Sequence, residues 1–224
     1  MLKNKKGFTL IELLAVIIIL GVLMLIAIPS VTQYISNSRK STYISSGSSY
    51  MTAVSLMAND SDGITINDTS RVYFIPVSND ANYSCVKLEK GGKTPFGDWW
   101  PKAEPAATPI PVTDSSSFAY VMVVMNDEGT SYSYAFVARD TAKYEFPSKQ
   151  SPVVGGGEGT SSYKKENVEP TPTTKIKMPA SGEAVPVANL PENLRVGKAA
   201  ATLRAQYYEV IAGVCTEIAM PIIP

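Results

Sequence analysis

Twenty-one consecutive residues, Phe8 to Ile28, contain one charged side chain, Glu12. As a helix rising about 1.5 Å per residue, that run is roughly 30 Å long, the thickness of a bilayer's hydrocarbon core. Lys3, Lys5 and Lys6 precede it, so the positive-inside bias keeps the N-terminus cytoplasmic and sends the rest outward. A secretory signal peptide fits poorly, because its apolar region is about 7–15 residues with a small-residue cleavage site behind it. Here the run is longer, and its small-residue junction, Gly7-Phe8, lies in front. A plain anchor leaves Glu12 unexplained. An acid at the centre of a membrane helix costs about 2.5–3.5 kcal/mol, less near an end, so it stands as a functional hypothesis that needs a partner.

The residues Lys5-Lys6-Gly7-Phe8-Thr9-Leu10-Ile11-Glu12 resemble the class III signal of type IV pilins and pseudopilins. In that family a membrane-embedded aspartyl peptidase cuts between the glycine and the phenylalanine and N-methylates the new terminus. The resemblance makes Gly7 the last leader residue, Phe8 the first mature and methylated one, and Glu12 the fifth, the position the family uses for filament assembly. Pro29 matches a proline that many members carry near the end of the apolar run. The likeness covers roughly the first 50 residues. The chemistry agrees with it: cleavage leaves a cationic amine on Phe8, and in a stack of parallel helices that amine can meet Glu12 of a neighbour. Two unit charges 4 Å apart attract by about 4 kcal/mol at an effective dielectric near 20, before desolvation is subtracted. The apolar stripe then does the bulk holding, and the ion pair sets axial register.

The full chain of 224 residues has room for one domain plus a stalk. It carries 20 basic and 20 acidic side chains. Without the three leader lysines the balance becomes 17 to 20, mildly acidic, which gives no reason to expect nucleic-acid binding. Histidine is absent, which excludes His-based triads and His metal sites. Cys85 and Cys215 lie beyond the membrane segment. On an oxidising exterior they are expected to pair, the alternative being two separate buried thiols. A bridge would close a loop of about 130 residues and contribute roughly 4–5 kcal/mol in the chain-entropy treatment.

Past the membrane segment the helix should continue. Pro29 removes one backbone donor and is expected to kink or locally open it. Val31, Tyr34, Ile35, Tyr43, Tyr50, Ala53, Val54 and Met57 fall loosely on one face. The remainder is serine-rich and holds Gly47, a weak helix that must be held by a globular head. Asn59-Asp60-Ser61-Asp62-Gly63 should end it. Arg71 to Val77 and Tyr83 to Glu89 read as short strands with a turn at Asn79 to Asn82. Lys93 to Pro111 reads as a proline-rich loop in which Trp99 and Trp100 act as a packing clamp. Phe118–Met125 and Ser131–Ala138, joined by Asn126-Asp127-Glu128-Gly129, are expected to form a hairpin. In its second arm Tyr132, Tyr134 and Phe136 share one face. Pro147 to Pro191, with seven prolines and the run Gly155-Gly156-Gly157-Glu158-Gly159, reads as a long surface excursion with one short strand at Thr174 to Met178. In the C-terminal piece Lys198 to Glu209 has helix-forming Ala and Leu, yet Tyr207 to Ile218 suits a strand, so we expect a short helix or turn and then a strand carrying Cys215.

Three other motifs carry little weight. Gly92-Lys93-Thr94 lacks the glycine a P-loop needs five places earlier, where Lys87 stands. Asp60-Ser61-Asp62-Gly63 would begin a calcium loop at Ala58, so turn chemistry accounts for it better. The triplets headed by Asn59, Asn67 and Asn82 are short enough to arise by chance. No paired carboxylates, metal cluster or serine-based motif supports catalysis, and no cofactor is expected.

The expected architecture is therefore α+β, with a half-embedded N-terminal helix packed on an antiparallel sheet of about four strands. Residues 1–7 form the leader, 8–29 the transmembrane and polymerisation helix, 30–60 its amphipathic half, and 61–224 the β-rich head. By resemblance the chain is a type IV pilin precursor, single-pass in the cell membrane before assembly and extracellular in the pilus afterwards. Its implied partners are further copies, other pilins, a prepilin peptidase, a platform protein and an assembly ATPase. The rival readings are a pseudopilin of a secretion or DNA-uptake system and a membrane-anchored adhesin.

Overall fold

The computed structural model describes residues 8–60, 63–78, 84–86, 95–96, 118–140, 144–146, 168–170 and 178–218. The chain divides into two compact units, residues 1–39 and 40–224. One helix, α1 (Leu10–Ala58, 49 residues), contributes to both.

From Leu10 to Ile28 α1 is apolar apart from Glu12, and its side chains there are exposed. In the second unit the helix changes character. Tyr43, Gly47, Tyr50, Val54 and Ala58 are buried, at spacings of three and four that place them on one face. The serines and threonines between them take the other face. There Ser49 Oγ donates to the Ser45 carbonyl and Thr52 Oγ1 to that of Ser48.

The helix seats on a sheet built from β1 (Arg71–Pro76), β2 (Phe118–Met125), β3 (Tyr132–Arg139), β4 (Tyr144–Phe146), β5 (Glu169–Pro170), β6 (Ala184–Pro186) and β7 (Thr202–Ile211). Their order across the sheet is β5-β4-β3-β2-β1-β7-β6, and β8 (Val214–Glu217) pairs with β7 outside that path. The expected hairpin is present, with Phe118 opposite Arg139 and Met125 opposite Tyr132. Its turn is fastened by Asn126, whose Oδ1 accepts from the backbone N–H groups of Thr130 and Ser131 at 2.8 and 3.1 Å. A long helix on a mostly antiparallel sheet is what the sequence leads one to expect. The sheet is larger than four strands, and β1 and β7 within it run parallel.

Both faces of the sheet are covered, which is why β2 is apolar at every position, FAYVMVVM, and buried throughout. Towards the helix, Tyr73, Ile75, Val121, Val123, Phe136 and Tyr208 pack with Tyr43, Tyr50 and Val54. On the opposite face, Phe74, Tyr120, Met122, Val137, Leu203 and Tyr207 form a second core. Its lid is the stretch from Met178 through a single 3-10 turn (Val187–Asn189) to α2 (Glu192–Arg195), which contributes Met178, Val187, Leu190 and Leu194.

Two expectations give way to the structure. The region 198–209 is not a helix or turn but mostly β7. Its Ala and Leu favour a helix, yet Leu203, Ala205 and Tyr207 alternate into the second core while Gln206 and Tyr208 take the other side. Burial between β1 and β6 overrides local propensity. The end of the proline-rich excursion, residues 178–191, is likewise no surface loop, because Met178, Val185, Val187 and Leu190 are buried in the second core. The rest of that excursion through residue 167, the expected strand at Thr174 to Met178 apart from Met178 itself, Trp99, Trp100 and the turn at Asn79 to Asn82 lie outside the described residues. Of the strand expected at Tyr83 to Glu89 only Ser84–Val86 is described, and there Val86 makes a single parallel bridge with Val77.

Candidate functional site

The sequence TLIE at Thr9 to Glu12 ends the non-helical backbone and starts α1. Thr9 stands at the N-cap and Glu12 three residues on. Glu12 Oε2 accepts from both the Thr9 backbone N–H and the Thr9 hydroxyl at 2.8 Å, and the Glu12 N–H points back to Thr9 Oγ1 at 3.4 Å. This reciprocal pair is a capping box, which satisfies donors that a helix start otherwise leaves open. The only acid of the apolar run is thus already held by its own chain through one oxygen. Thr9 is the residue that sequence reasoning passed over, although the Thr-x-x-Glu spacing was there to read.

Phe8 lies just before the cap, non-helical and almost fully exposed. Gly7 lies outside the described residues. Behind the cap, α1 is long and apolar enough to cross a membrane, and none of that apolar window is buried inside the chain. A core helix of a soluble protein would be mostly buried; this one leaves Ile11, Leu25, Ile26 and Ile28 each at least 60 % exposed.

Pro29 sits inside α1, which continues through it without interruption. Proline has no N–H to offer the carbonyl four residues back, so Leu25 loses its helical donor there. Two hydroxyls add local bonds around the gap: Ser30 Oγ donates to the Ala27 carbonyl and Thr32 Oγ1 to that of Pro29, both at 2.9 Å.

In the second unit the two cysteines are joined: Cys85 and Cys215 form a disulfide with Cα atoms 5.1 Å apart. Nearby, Arg71 ties three segments together. Its Nε meets Asp68 Oδ2 at 2.7 Å, and its Nη1 meets Glu217 Oε1 at 2.8 Å and Gln206 Oε1 at 3.2 Å. At the β2–β3 turn a lysine side chain is fully buried. Lys198 Nζ donates to Asp127 Oδ1 at 2.5 Å, to the Met125 carbonyl at 2.9 Å and to the Thr69 carbonyl. Asp127 Oδ2 accepts from the Ala199 N–H at 2.7 Å. The hydrogen bond from Lys198, with that from Ala199, holds the Asp127 carboxyl below its ordinary value. Burial works against ionising Asp68, but bonds from Ser70 and the Arg71 charge outweigh it and lower that carboxyl too.

Glu12 and the cysteine pair lie in different units. Among the described residues no group of three or more His, Cys, Asp or Glu is placed to hold a metal ion. In comparison with known proteins, residues 2–28 match the prokaryotic N-terminal methylation motif. No solved structure matches the chain.

Proposed function

We propose that this chain, which carries the N-terminal methylation motif of type IV pilins and pseudopilins, is the precursor of a structural subunit that polymerises through α1 into an extracellular filament. In this reading a prepilin peptidase cuts after Gly7 and methylates the Phe8 amine. Until then the chain is held in the membrane by residues 8–29. Afterwards a platform protein and an ATPase pass it into a fibre of its own copies and other pilins. The observation that carries the reading is a membrane-length apolar helix, left uncovered by its own chain, that begins at a matched processing motif.

The capping box supports a specific division of labour at Glu12. One carboxylate oxygen is taken by Thr9. The other remains to receive the Phe8 amine of an axially offset neighbour. A carboxylate already fixed by its own chain loses less side-chain freedom on pairing, so the interchain contact forms at lower entropic cost.

Mass spectrometry of the exported chain tests the processing step, with a start at Phe8 carrying one methyl group as the expected result. An intact Met1 would instead mean an anchored surface module. Glu12→Ala should leave processing intact and lower the yield of sheared fibres at least tenfold; wild-type fibre yield from that variant would remove Glu12 from assembly. Electron microscopy of the sheared material separates a long pilus from a short pseudopilus, since the motif serves both.

A further inference from the structure

The C-terminal ribbon is secured unevenly along its length. β1 accompanies β7 as far as Tyr207 and β6 only as far as Arg204, so from Tyr208 to Ile211 the sole strand beside β7 among the described residues is β8. A two-stranded ribbon in water is marginal by itself. Its base is tied down by polar contacts: Arg71 to Glu217, the Gln206 side-chain amide to the Ile218 carbonyl, and the Tyr208 hydroxyl to the Thr65 carbonyl. Its outer half shows no such ties among the described residues. Ile211, Ala212, Gly213 and Val214 are exposed, and the turn between them puts Ala212 and Gly213 at φ 51° and 82°. Among the described residues, the cross-link nearest that tip is Cys215, opposite Val210.

Among the described residues, the partner cysteine's segment also has few ties to the sheet. The segment Ser84–Val86 joins the end of β1 and the two residues after it through one bridge, Val77 with Val86, the Cys85 N–H to Pro76 carbonyl bond at 3.0 Å, and the Ser78 N–H to Ser84 Oγ bond at 2.8 Å. Each element is short, and each is pinned by the other through sulfur. What they jointly cover is the helix-side core, since Cys85 and Cys215 pack against the cluster that contains Val77, Val86 and Tyr208.

We propose that the Cys85–Cys215 disulfide is a redox latch on a local unit, residues 84–86 together with 208–217, which opens on reduction while β1, β2, β3 and β7 up to Tyr207 stay folded. The reductant is a dithiol. One of its thiolates attacks a sulfur of the bridge, the Cys85–Cys215 bond breaks, and the second thiolate closes the reductant to a cyclic disulfide. Two electrons and two protons end on Cys85 and Cys215 as thiols. Opening frees the β7 edge beyond Tyr207 and uncovers Val77, Val86 and Tyr208, so the oxidised bridge guards an unpaired strand edge.

Hydrogen exchange on the full-length protein in detergent, with and without dithiothreitol, tests this, with alkylation mass confirming reduction. Exchange at 84–86 and 208–217 should accelerate at least tenfold more than at β2 and β3, the signature of sub-global opening. Equal acceleration everywhere would overturn the proposal, because the bridge would then act on global stability alone. So would unchanged exchange in the reduced protein, or a bridge that the folded protein withholds from the dithiol. Cys85→Ser/Cys215→Ser should reproduce the pattern of the reduced protein. Reduction of folded wild type decides the matter if that variant does not fold.

Discussion

Gly47 carries two opposite costs. In an isolated helix it is a weak point, less favourable than alanine by about 1 kcal/mol. In the folded head a Cβ at that position would stand 2.5 Å from Phe136 Cδ1 and 2.8 Å from Cε1. The Phe136 ring has little freedom to retreat, being buried and stacked on Tyr50 at 6.3 Å with an 11° interplanar angle. Overpacking of this kind costs about 1–3 kcal/mol and outweighs the propensity gain. Gly47→Ala should therefore lower the denaturation midpoint, read by urea titration of the detergent-solubilised chain. A variant as stable as wild type would mean that the helix sits farther from β3 than described. Charge makes a second prediction at this scale. Asp68 and Asp127 both have folded-state carboxyls below their ordinary values. The folded protein then binds fewer protons than the unfolded one, so the stability they contribute is full above about pH 4 and is lost as pH falls through the lowered values. Asp127→Asn should flatten the acid limb of a stability–pH curve and leave the plateau above about pH 5 lower than wild type.

At the scale of elements, legibility tracks the range of the contacts. The hairpin of β2 and β3 can be read directly, because alternation and a Gly-containing turn are local signals and its register needs no distant partner. α1 is legible for the same reason, as is the Thr-x-x-Glu spacing of the capping box that opens it. β7 is not. Its pairing with β1 joins Arg71 to Arg204 across more than half the chain, and nothing near Thr202 announces that neighbour. Alanine, leucine and arginine there speak for helix locally, whereas Tyr207 onward suits a strand, and burial on two faces makes the whole of TLRAQYYEVI one. The lid from Met178 to Leu194 escapes a sequence reading because proline marks where regular structure ends, not whether the chain beyond it is buried. The strand assignment has its own test. Leu203 is almost wholly buried and Arg204 beside it is exposed. Leu203→Ala should cost about 2–5 kcal/mol and Arg204→Ala less than about 0.5, measured by denaturant unfolding. Comparable losses at the two positions would contradict the alternation.

For the molecule as a whole, the packed core and the exposed apolar surface fall on different stretches of one helix. Among the described residues, both cores of the second unit are built from residue 43 onward. The exposed apolar surface runs the other way, concentrated between Phe8 and Ile35. A surface of that extent is incompatible with a monomer in water and marks a site to be covered by lipid or protein. The fragment 40–224, made with its disulfide intact, should therefore be a soluble monomer that unfolds cooperatively. The processed full chain should stay dispersed only in detergent or lipid, or as a fibre. Sedimentation of both forms checks this. If the fragment failed to fold, the apolar half of α1 would belong to the head's stability as well as to assembly. If it folded but associated as strongly as the full chain, the polymerising surface would lie on the head. A monomeric fragment beside a detergent-dependent full chain would leave the first 39 residues as the part that lipid or protein must cover, and the disulfide-bonded sheet as a head that folds without them.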